Sequence, residues 1–273
     1  MLPFLVNLIF QIVFVGVSIL IVAALARLFY RRWKGRRILE RLDHQHVLIT
    51  GGSQGIGKAM AVLCFKNGAN VTLFARDPIK LDRAKKEILQ HRVNKEQQVN
   101  CFSVDITNVN EVNKSVEFVL KMFEPVDILI NCAGNSIPQH VERLEVETFE
   151  KMMSVNYFGS VYVTKALLDA MKQRQQGRIV FVSSVAGLVG LFGFSAYSPA
   201  KFAVIGFAQC LDMELRAYGI NVSVVLPPDT DTPGFEQEEK SKVRNFGESF
   251  VLLNVSRNHR LLICQRESRM EYN

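Results

Sequence analysis

Hydrophobic and polar positions divide the chain into an apolar N-terminal stretch, a basic segment and a long part in which short apolar runs alternate with helix-length segments. The apolar stretch runs from Leu8 to Ala26 without a charged residue. As a helix it would be roughly 28 Å long, close to the hydrocarbon thickness of a bilayer. We therefore predict one N-terminal transmembrane helix, and we assign residues 1–30 to a membrane anchor in the lipid bilayer.

Basic residues follow this stretch directly, and Glu40 is the only acid among them: Arg27, Arg31, Arg32, Lys34, Arg36, Arg37 and Arg41. Because Lys and Arg accumulate on the cytoplasmic side of membranes, we expect the linker over residues 31–45 and everything after it to face the cytosol. The alternative is a cleaved signal peptide, since Ala24-Leu25-Ala26 resembles a cleavage site. Two features argue against a signal peptide: the N-terminus lacks the basic region of such peptides, and the apolar run is longer than their usual apolar core.

From residue 46 onward, short apolar runs alternate with longer segments of helical character. The predicted strands are His46–Thr50, Val71–Ala75, Val99–Val104, Val126–Ile130, Arg178–Ser183 and Asn221–Leu226. The predicted helices span about 55–67, 78–91, 109–123, 146–173 and 195–218. Such alternation indicates right-handed βαβ units and therefore an α/β fold, a Rossmann-type doubly wound parallel sheet covered by helices on both faces.

Composition narrows the functional classes. Of the 273 residues 48% are hydrophobic, enough for a sizeable core, and the net charge of +7 is concentrated around the linker. No basic footprint is spread over the fold, so we expect no nucleic-acid partner. The five cysteines are scattered without a C-x-x-C pair, and the five histidines are scattered too. We therefore expect reduced thiols, no disulfide framework and no metal site.

A glycine-rich turn, residues 51–57, follows the first predicted strand and opens the first helix of the alternating part. Glycines let backbone amides approach a pyrophosphate, and a helix N-terminus favours its charge. A bare glycine turn is often only a tight turn, but the strand before it and the helix after it favour a dinucleotide site.

The residues at the end of the second strand indicate which dinucleotide, NAD or NADP, the site would bind. An acid there would bind the ribose hydroxyl of NAD, whereas an arginine suits the 2′-phosphate of NADP. Arg76 comes first and Asp77 second, so we expect NADPH, with added charge from Lys58 and Lys80. The alternative is a surface Arg76 neutralised by Asp77. Asp105, after the third strand, is expected to accept a bond from the adenine amino group or else to cap the next helix.

Candidate catalytic chemistry lies around Tyr197 and Lys201. With Pro199 in the first turn of a helix, residues four apart project from one face. A protonated lysine beside a phenol favours the tyrosinate, so we expect the pKa of Tyr197 to fall. Such a phenol exchanges protons with a carbonyl or alcohol oxygen. Ser184, at the end of the fifth strand, is expected to hold the same oxygen, and the adjacent Ser183 is the second choice.

Together these residues resemble the short-chain dehydrogenase/reductase family, in order and spacing, over about residues 46–234. The matching motifs are Thr50-Gly51-x3-Gly55-Ile56-Gly57, Asp105, Asn131-Cys132-Ala133-Gly134, Asn156, Ser184, and Tyr197 with Lys201. The resemblance implies a catalytic tetrad of Ser184, Tyr197, Lys201 and Asn156, in which Lys201 also holds the nicotinamide ribose and Asn156 a water. The residues assigned to the cofactor are Gly51, Ser53, Gln54, Gly55, Ile56, Gly57, Arg76, Lys80, Asp105, Asn131, Ala133, Gly134, Tyr197 and Lys201.

Within the family the chain resembles the branch that reduces long-chain 3-keto sphingoid bases. The segments that carry this likeness are residues 180–194, the Pro227–Phe235 segment and the N-terminal anchor. The resemblance implies NADPH-dependent reduction of such a base in sphingolipid biosynthesis, at the cytosolic face of the endoplasmic reticulum. Two alternatives are open: a membrane-tethered steroid or retinoid dehydrogenase, and a truncated NADP-binding isoform without catalysis.

The likeness stops after about residue 236, so we assign 46–235 to the catalytic domain and 236–273 to a divergent tail. No helix of useful length is expected after the sixth strand, and the C-terminal strand and substrate lid are expected to be truncated. The sixth strand would then be an exposed apolar edge, which a homo-oligomer would cover. The alternative is an irregular seventh strand around Phe250–Val255.

Overall fold

A computed structural model describes residues 14, 16–27 and 42–241 of the chain. Two compact units are present, Met1–Asp43 and His44–Asn273. In the first unit, residues 16–27 are helical. Within the described ranges no helix is long and apolar enough to cross a bilayer. The rest of the predicted anchor and most of the predicted linker lie outside those ranges.

Six parallel strands form one sheet in the second unit. They are β1 (His46–Thr50), β2 (Asn70–Ala75), β3 (Val99–Ser103), β4 (Ile128–Asn131), β5 (Gly177–Val182) and β6 (Ile220–Val225). Their order is β3-β2-β1-β4-β5-β6, and every neighbouring pair is parallel. This is the doubly wound order, so the predicted fold class is confirmed, and each predicted strand boundary lies within two residues of the observed one.

Helices fill the connections between the strands. They are α1 (Gly55–Lys66), α2 (Pro78–Leu89), α3 (Val109–Met122), α4 (Val146–Met153), α5 (Gly159–Arg174), α6 (Tyr197–Leu215) and α7 (Pro233–Ser241). Buried side chains of α3, α5 and α6 form one apolar cluster with alternate strand residues such as Leu48, Leu129 and Ile179. Helices α1 and α2 contact β1, β2 and β3. Because the sheet is covered on both faces, β1 is buried along its whole length.

The long helix predicted over residues 146–173 is interrupted. Between α4 and α5 the chain makes a π-helical turn, Ser154–Phe158, in which the amide of Gly159 donates to the carbonyl of Ser154 five residues earlier. Such turns often occur at functional sites, and this one contains the predicted catalytic Asn156.

The expectation that no helix follows the sixth strand was wrong. Helix α7 begins at Pro233, which suits the first helical position because its missing amide is not needed there. Thr232 Oγ1 accepts a hydrogen bond of 3.1 Å from the amide of Phe235 and caps the helix.

Strand β6 pairs only with β5 in the described part of the chain, so it lies at the edge of the sheet. The predicted exposed edge stays a prediction, because it depends on whether a seventh strand follows. Residues 242–273, including the segment considered for an irregular seventh strand, lie outside the described residues.

Candidate active site

The predicted cofactor residues gather at the carboxyl ends of β1 and β4. These strands are neighbours in the sheet, and Thr50 is paired with Asn131. The chain continues from β1 towards one side of the sheet and from β4 towards the other, so a crevice opens between the two strand ends. Ligands of doubly wound sheets bind at this kind of switch point.

The glycine turn after β1 has no room for side chains at two of its positions. Gly51 has a φ of +69°, and a Cβ on it would lie 2.8 Å from the Cα of Ala133. A Cβ on Gly57 would lie 2.4 Å from the carbonyl oxygen of Gly51. The turn therefore packs backbone against backbone, and it leads into the N-terminus of α1, whose first turn carries no acid. This geometry suits the negative charge of a pyrophosphate.

Thr50 joins the two strand ends, a role that we did not predict. Its buried Oγ1 accepts hydrogen bonds of 3.1 Å from the amides of both Cys132 and Ala133. Asn131, one residue earlier, donates through Nδ2 to Thr164 Oγ1 over 3.0 Å. The buried Oδ1 of Asn131 has no partner among the described residues.

The end of β2 presents Arg76 to solvent. Asp77 does not neutralise it in the described structure: Asp77 Oδ1 instead accepts bonds of 2.9 Å and 3.0 Å from the amides of Ile79 and Lys80 and caps α2. A cavity of about 390 Å³ lies beside the glycine turn and is lined by Ser53, Gln54, Lys58, Lys80, Arg83, Ala84, Glu87 and Pro233. Three of these residues are basic, and Lys58 pairs with Glu87 at 2.7 Å. The charge, the cavity and the turn fit a phosphate-bearing dinucleotide.

Asp105 lies after β3 but does not cap the helix that follows. Its Oδ1 accepts bonds of 2.9 Å and 2.8 Å from the amide and hydroxyl of Thr107. Asn108 is the residue that caps α3. The capping alternative was therefore wrong, and the contact with adenine stays a prediction.

Tyr197 is the first residue of α6, and Pro199 lies in its first turn as expected. One turn later, the buried Lys201 donates from Nζ to the carbonyl oxygen of Val182 over 3.1 Å. The same Nζ lies 5.5 Å from the centre of the Tyr197 ring. The α6 N-terminus thus places a phenol and an ammonium group beside the carboxyl end of β5.

The two adjacent serines after β5 have different surroundings. Ser184 lies close enough to Tyr197 to lower the pKa of the phenol, and its Oγ accepts a bond of 3.2 Å from the amide of Ala186. Ser183 is buried and donates over 3.1 Å to the backbone carbonyl of Lys201. The geometry therefore favours Ser184 for contact with a substrate oxygen, and it gives Ser183 a place in packing β5 against α6.

Asn156 projects from the π turn towards the same region. Its Nδ2 donates to the carbonyls of Asn135 and Met152 over 2.9 Å and 3.1 Å, whereas its buried Oδ1 has no partner among the described residues. A Cβ on Gly134 would lie 2.6 Å from that Oδ1 and 3.3 Å from Lys201 Nζ. The oxygen and the ammonium group thus both lie close to Gly134, where there is no room for a side chain.

Burial sets the protonation of the two central groups. It raises the pKa of Tyr197 to about 12, although the hydrogen bond with Ser184 lowers it, and the charges of Glu238 and Asp229 raise it further. Burial lowers the pKa of Lys201 to about 8. The predicted fall of the Tyr197 pKa was therefore wrong, because loss of hydration outweighs any effect of the lysine one turn away.

Helix α7 contributes residues that sequence analysis did not assign to the site. The hydroxyl of Ser136, in the loop after β4, donates to Glu238 Oε2. A Cβ on Gly55 would lie 3.3 Å from Thr232, and Pro233 lines the cavity beside the glycine turn. The pair Thr232-Pro233, a capping residue before a proline, is the sequence signal that could have located this helix.

Sequence comparison relates the chain to a family of known enzymes. The family model for short chain dehydrogenase matches residues 45–243. The chain is 51% identical over 203 residues to a 3-dehydrosphinganine reductase of Danio rerio, covering 74% of this chain and 61% of the relative. It is 52% identical over 202 residues to a 3-ketodihydrosphingosine reductase of Mus musculus, with the same two coverages. The chain thus spans about three fifths of the length of these curated relatives.

Solved structures show the same fold. Levodione reductase superposes with a TM-score of 0.70 at 26% identity, over 73% of this chain and 77% of that one. A variant of actinorhodin polyketide ketoreductase with NADPH superposes with a TM-score of 0.68 at 32% identity, over 73% and 76% of the two chains.

Proposed function

Because this chain belongs to the short-chain dehydrogenase family, we propose that it is an NADPH-dependent reductase of 3-ketodihydrosphingosine, a long-chain 3-keto sphingoid base, which it converts to dihydrosphingosine. The observation that carries the reaction type is the meeting of Ser184, Tyr197 and Lys201 at one strand end. The substrate class is supported by the reductases that are 51% and 52% identical to the chain.

In this proposal the nicotinamide cofactor, when bound, supplies a hydride to the keto carbon. Tyr197 supplies the proton to the substrate oxygen, and Ser184, which lies beside Tyr197, orients that oxygen. Lys201 would hold the nicotinamide ribose. The Oδ1 of Asn156, which has no partner among the described residues, would hold a water through which the proton of Tyr197 is replaced.

The choice of NADPH over NADH rests on charge at the end of β2. Arg76 is exposed there and forms no ion pair within the described residues. Lys80 and Arg83 line the neighbouring cavity. A guanidinium group recognises a phosphate through two parallel hydrogen bonds, which suits the 2′-phosphate of NADPH.

We further propose that residues 1–30 anchor the protein in the endoplasmic reticulum membrane with the catalytic domain in the cytosol. The uncharged Leu8–Ala26 stretch and the basic residues after it support this. Retention of the full chain in the membrane pellet after alkaline washing is expected, and its release would contradict the anchor. The proposed homo-oligomer would cover the β6 edge, and light scattering of the detergent-solubilised chain tests its mass.

The central test is NADPH oxidation, followed by absorbance, when detergent-solubilised full-length protein receives 3-ketodihydrosphingosine. Tyr197→Phe is expected to lower turnover at least about a hundredfold, the usual contribution of a positioned acid, while NADPH binding persists. Tyr218→Phe makes the same chemical change at a partly exposed ring and is expected to leave turnover unchanged. Wild-type protein that binds NADPH without turnover would refute the proposed reaction, and a steroid and retinoid panel would then identify the substrate.

A further inference from the structure

Helix α7 places a carboxylate at the catalytic crevice, and the mechanism above gives it no role. Glu238 Oε2 accepts a hydrogen bond from the hydroxyl of Ser136. Ser136 follows Asn135, whose carbonyl accepts the 2.9 Å bond from Asn156 Nδ2. The Glu238 carboxylate is therefore held by the loop after β4. The neighbouring residue of that loop, Asn135, holds the predicted catalytic Asn156.

The electrostatic effect of Glu238 on Tyr197 also indicates that the two side chains lie close together. The charge of Glu238 raises the pKa of Tyr197, and the charge of Asp229 acts in the same direction. Because the interaction between two charges falls with distance, a carboxylate that affects the phenol must lie near it. The negative charge of the α7 segment thus reaches the position where the substrate oxygen would bind.

The proposed substrate carries a matching group. A 3-keto sphingoid base has a primary amine on the carbon next to the keto carbon, and this amine accepts a proton to become an ammonium group. When the keto oxygen lies at Tyr197, the ammonium group lies one carbon away. Steroid and retinoid ketones have no such cation, so a carboxylate here would separate the substrate classes that share the catalytic residues.

We propose that Glu238 recognises the ammonium group of the substrate and thereby determines specificity for 2-amino ketones. The inference rests on the proposed reaction at the same site. Ser136 acts as a positioning residue, because its hydrogen bond holds the carboxylate over the crevice. A charge-assisted hydrogen bond of this kind corresponds to about a 10- to 100-fold effect on an equilibrium or rate.

The test compares two ketones of equal chain length: 3-ketodihydrosphingosine and the analogue with a hydroxyl in place of the amine. For Glu238→Gln we expect kcat/KM for the amino ketone to fall about 10- to 100-fold, and kcat/KM for the neutral ketone to change less than about threefold. Glu236→Gln, an exposed acid on the same helix, is the matched control and is expected to alter neither value. Ser136→Ala is expected to give a smaller loss with the same substrate dependence.

A Glu238 that only fastens α7 to the site would give equal losses for both ketones, and that result would overturn the inference. An unchanged kcat/KM for the amino ketone would overturn it too.

A binding measurement separates this inference from the proposed reaction. Dihydrosphingosine and the neutral triol of the same length are titrated into NADP⁺-saturated protein in detergent by calorimetry. Preference of the wild type for the amine, lost in Glu238→Gln, supports the ammonium site even if neither ketone is reduced, in which case only the proposed reaction fails. Equal affinity of the wild type for the two compounds contradicts the ammonium site whatever the turnover.

Discussion

Replacing Gly57 by alanine tests the backbone cradle directly. The added Cβ would lie 2.4 Å from the Gly51 carbonyl oxygen and 2.9 Å from its carbonyl carbon, whereas ordinary contacts begin at 3.4 Å. Both atoms belong to the backbone, so no flexible side chain can move aside. Overpacking of this kind costs about 1–3 kcal/mol, and the higher helix propensity of alanine returns about 1 kcal/mol. The net loss of stability is therefore about 0–2 kcal/mol.

We expect Gly57→Ala to weaken cofactor binding more than it lowers the stability of the fold. Relief of the overlap moves Gly51 away from α1, and the amides that face the pyrophosphate move with it. We expect the Kd of NADPH to rise at least about tenfold, which is 1.4 kcal/mol, in a fluorescence titration of the full-length protein.

Gly206→Ala is the matched control, because Gly206 is exposed on α6 and a Cβ there meets no atom within 4 Å. This control should gain about 1 kcal/mol of stability in urea unfolding and keep its affinity for NADPH. A Gly57→Ala variant as stable as the control, with unchanged NADPH affinity, would refute the assignment of the turn.

Two further predictions concern cofactor choice and pH. Arg76→Ala should weaken the binding of NADPH far more than that of NADH in parallel titrations, and an equal loss for both would contradict the phosphate contact. Burial lowers the pKa of His46, which bonds the Glu124 carbonyl through Nδ1 and Thr72 Oγ1 through Nε2. The unfolded chain then binds the extra proton more readily, so stability should fall by up to about 1.4 kcal/mol per unit as pH drops below about 6.5. Urea unfolding at pH 7.5 and 5.5 measures this fall, and a His46→Gln variant with an undiminished fall would contradict it.

The central strands could be predicted from the sequence because β1, β2, β4 and β5 are largely buried and are therefore mostly apolar runs. Strands β3 and β6 are only partly buried and were recognised by their place in the alternation. Predicted and observed strand ends differ where a residue is buried but not paired in the sheet. Val126 is buried but precedes β4, which begins at Ile128. The spacing of Tyr197 and Lys201 was equally predictable, since helix geometry alone places residues four apart on one face.

Other features depend on contacts that no local pattern encodes. The π turn at Asn156 differs from an α-helix only in which carbonyl each amide meets. Helix α7 is polar along most of its length, and one of its links to the site is the long-range contact of Glu238 with Ser136. The pKa of Tyr197 depends on how deeply the folded chain buries the phenol, which the distance to a lysine in sequence does not reveal.

The raised pKa of Tyr197 sets the protonation state in which this phenol would meet the substrate. A phenol with a pKa of about 12 is protonated at neutral pH, so the form that donates a proton predominates. Reduction of a ketone leaves an alkoxide, which is a stronger base than a phenolate, and the proton passes to it downhill. Oxidation of an alcohol would instead require the tyrosinate, which burial and the charge of Glu238 both disfavour. The protein environment of Tyr197 therefore keeps the phenol in the form that donates a proton, and a substrate ammonium group beside Glu238 would offset the carboxylate charge only while substrate is bound.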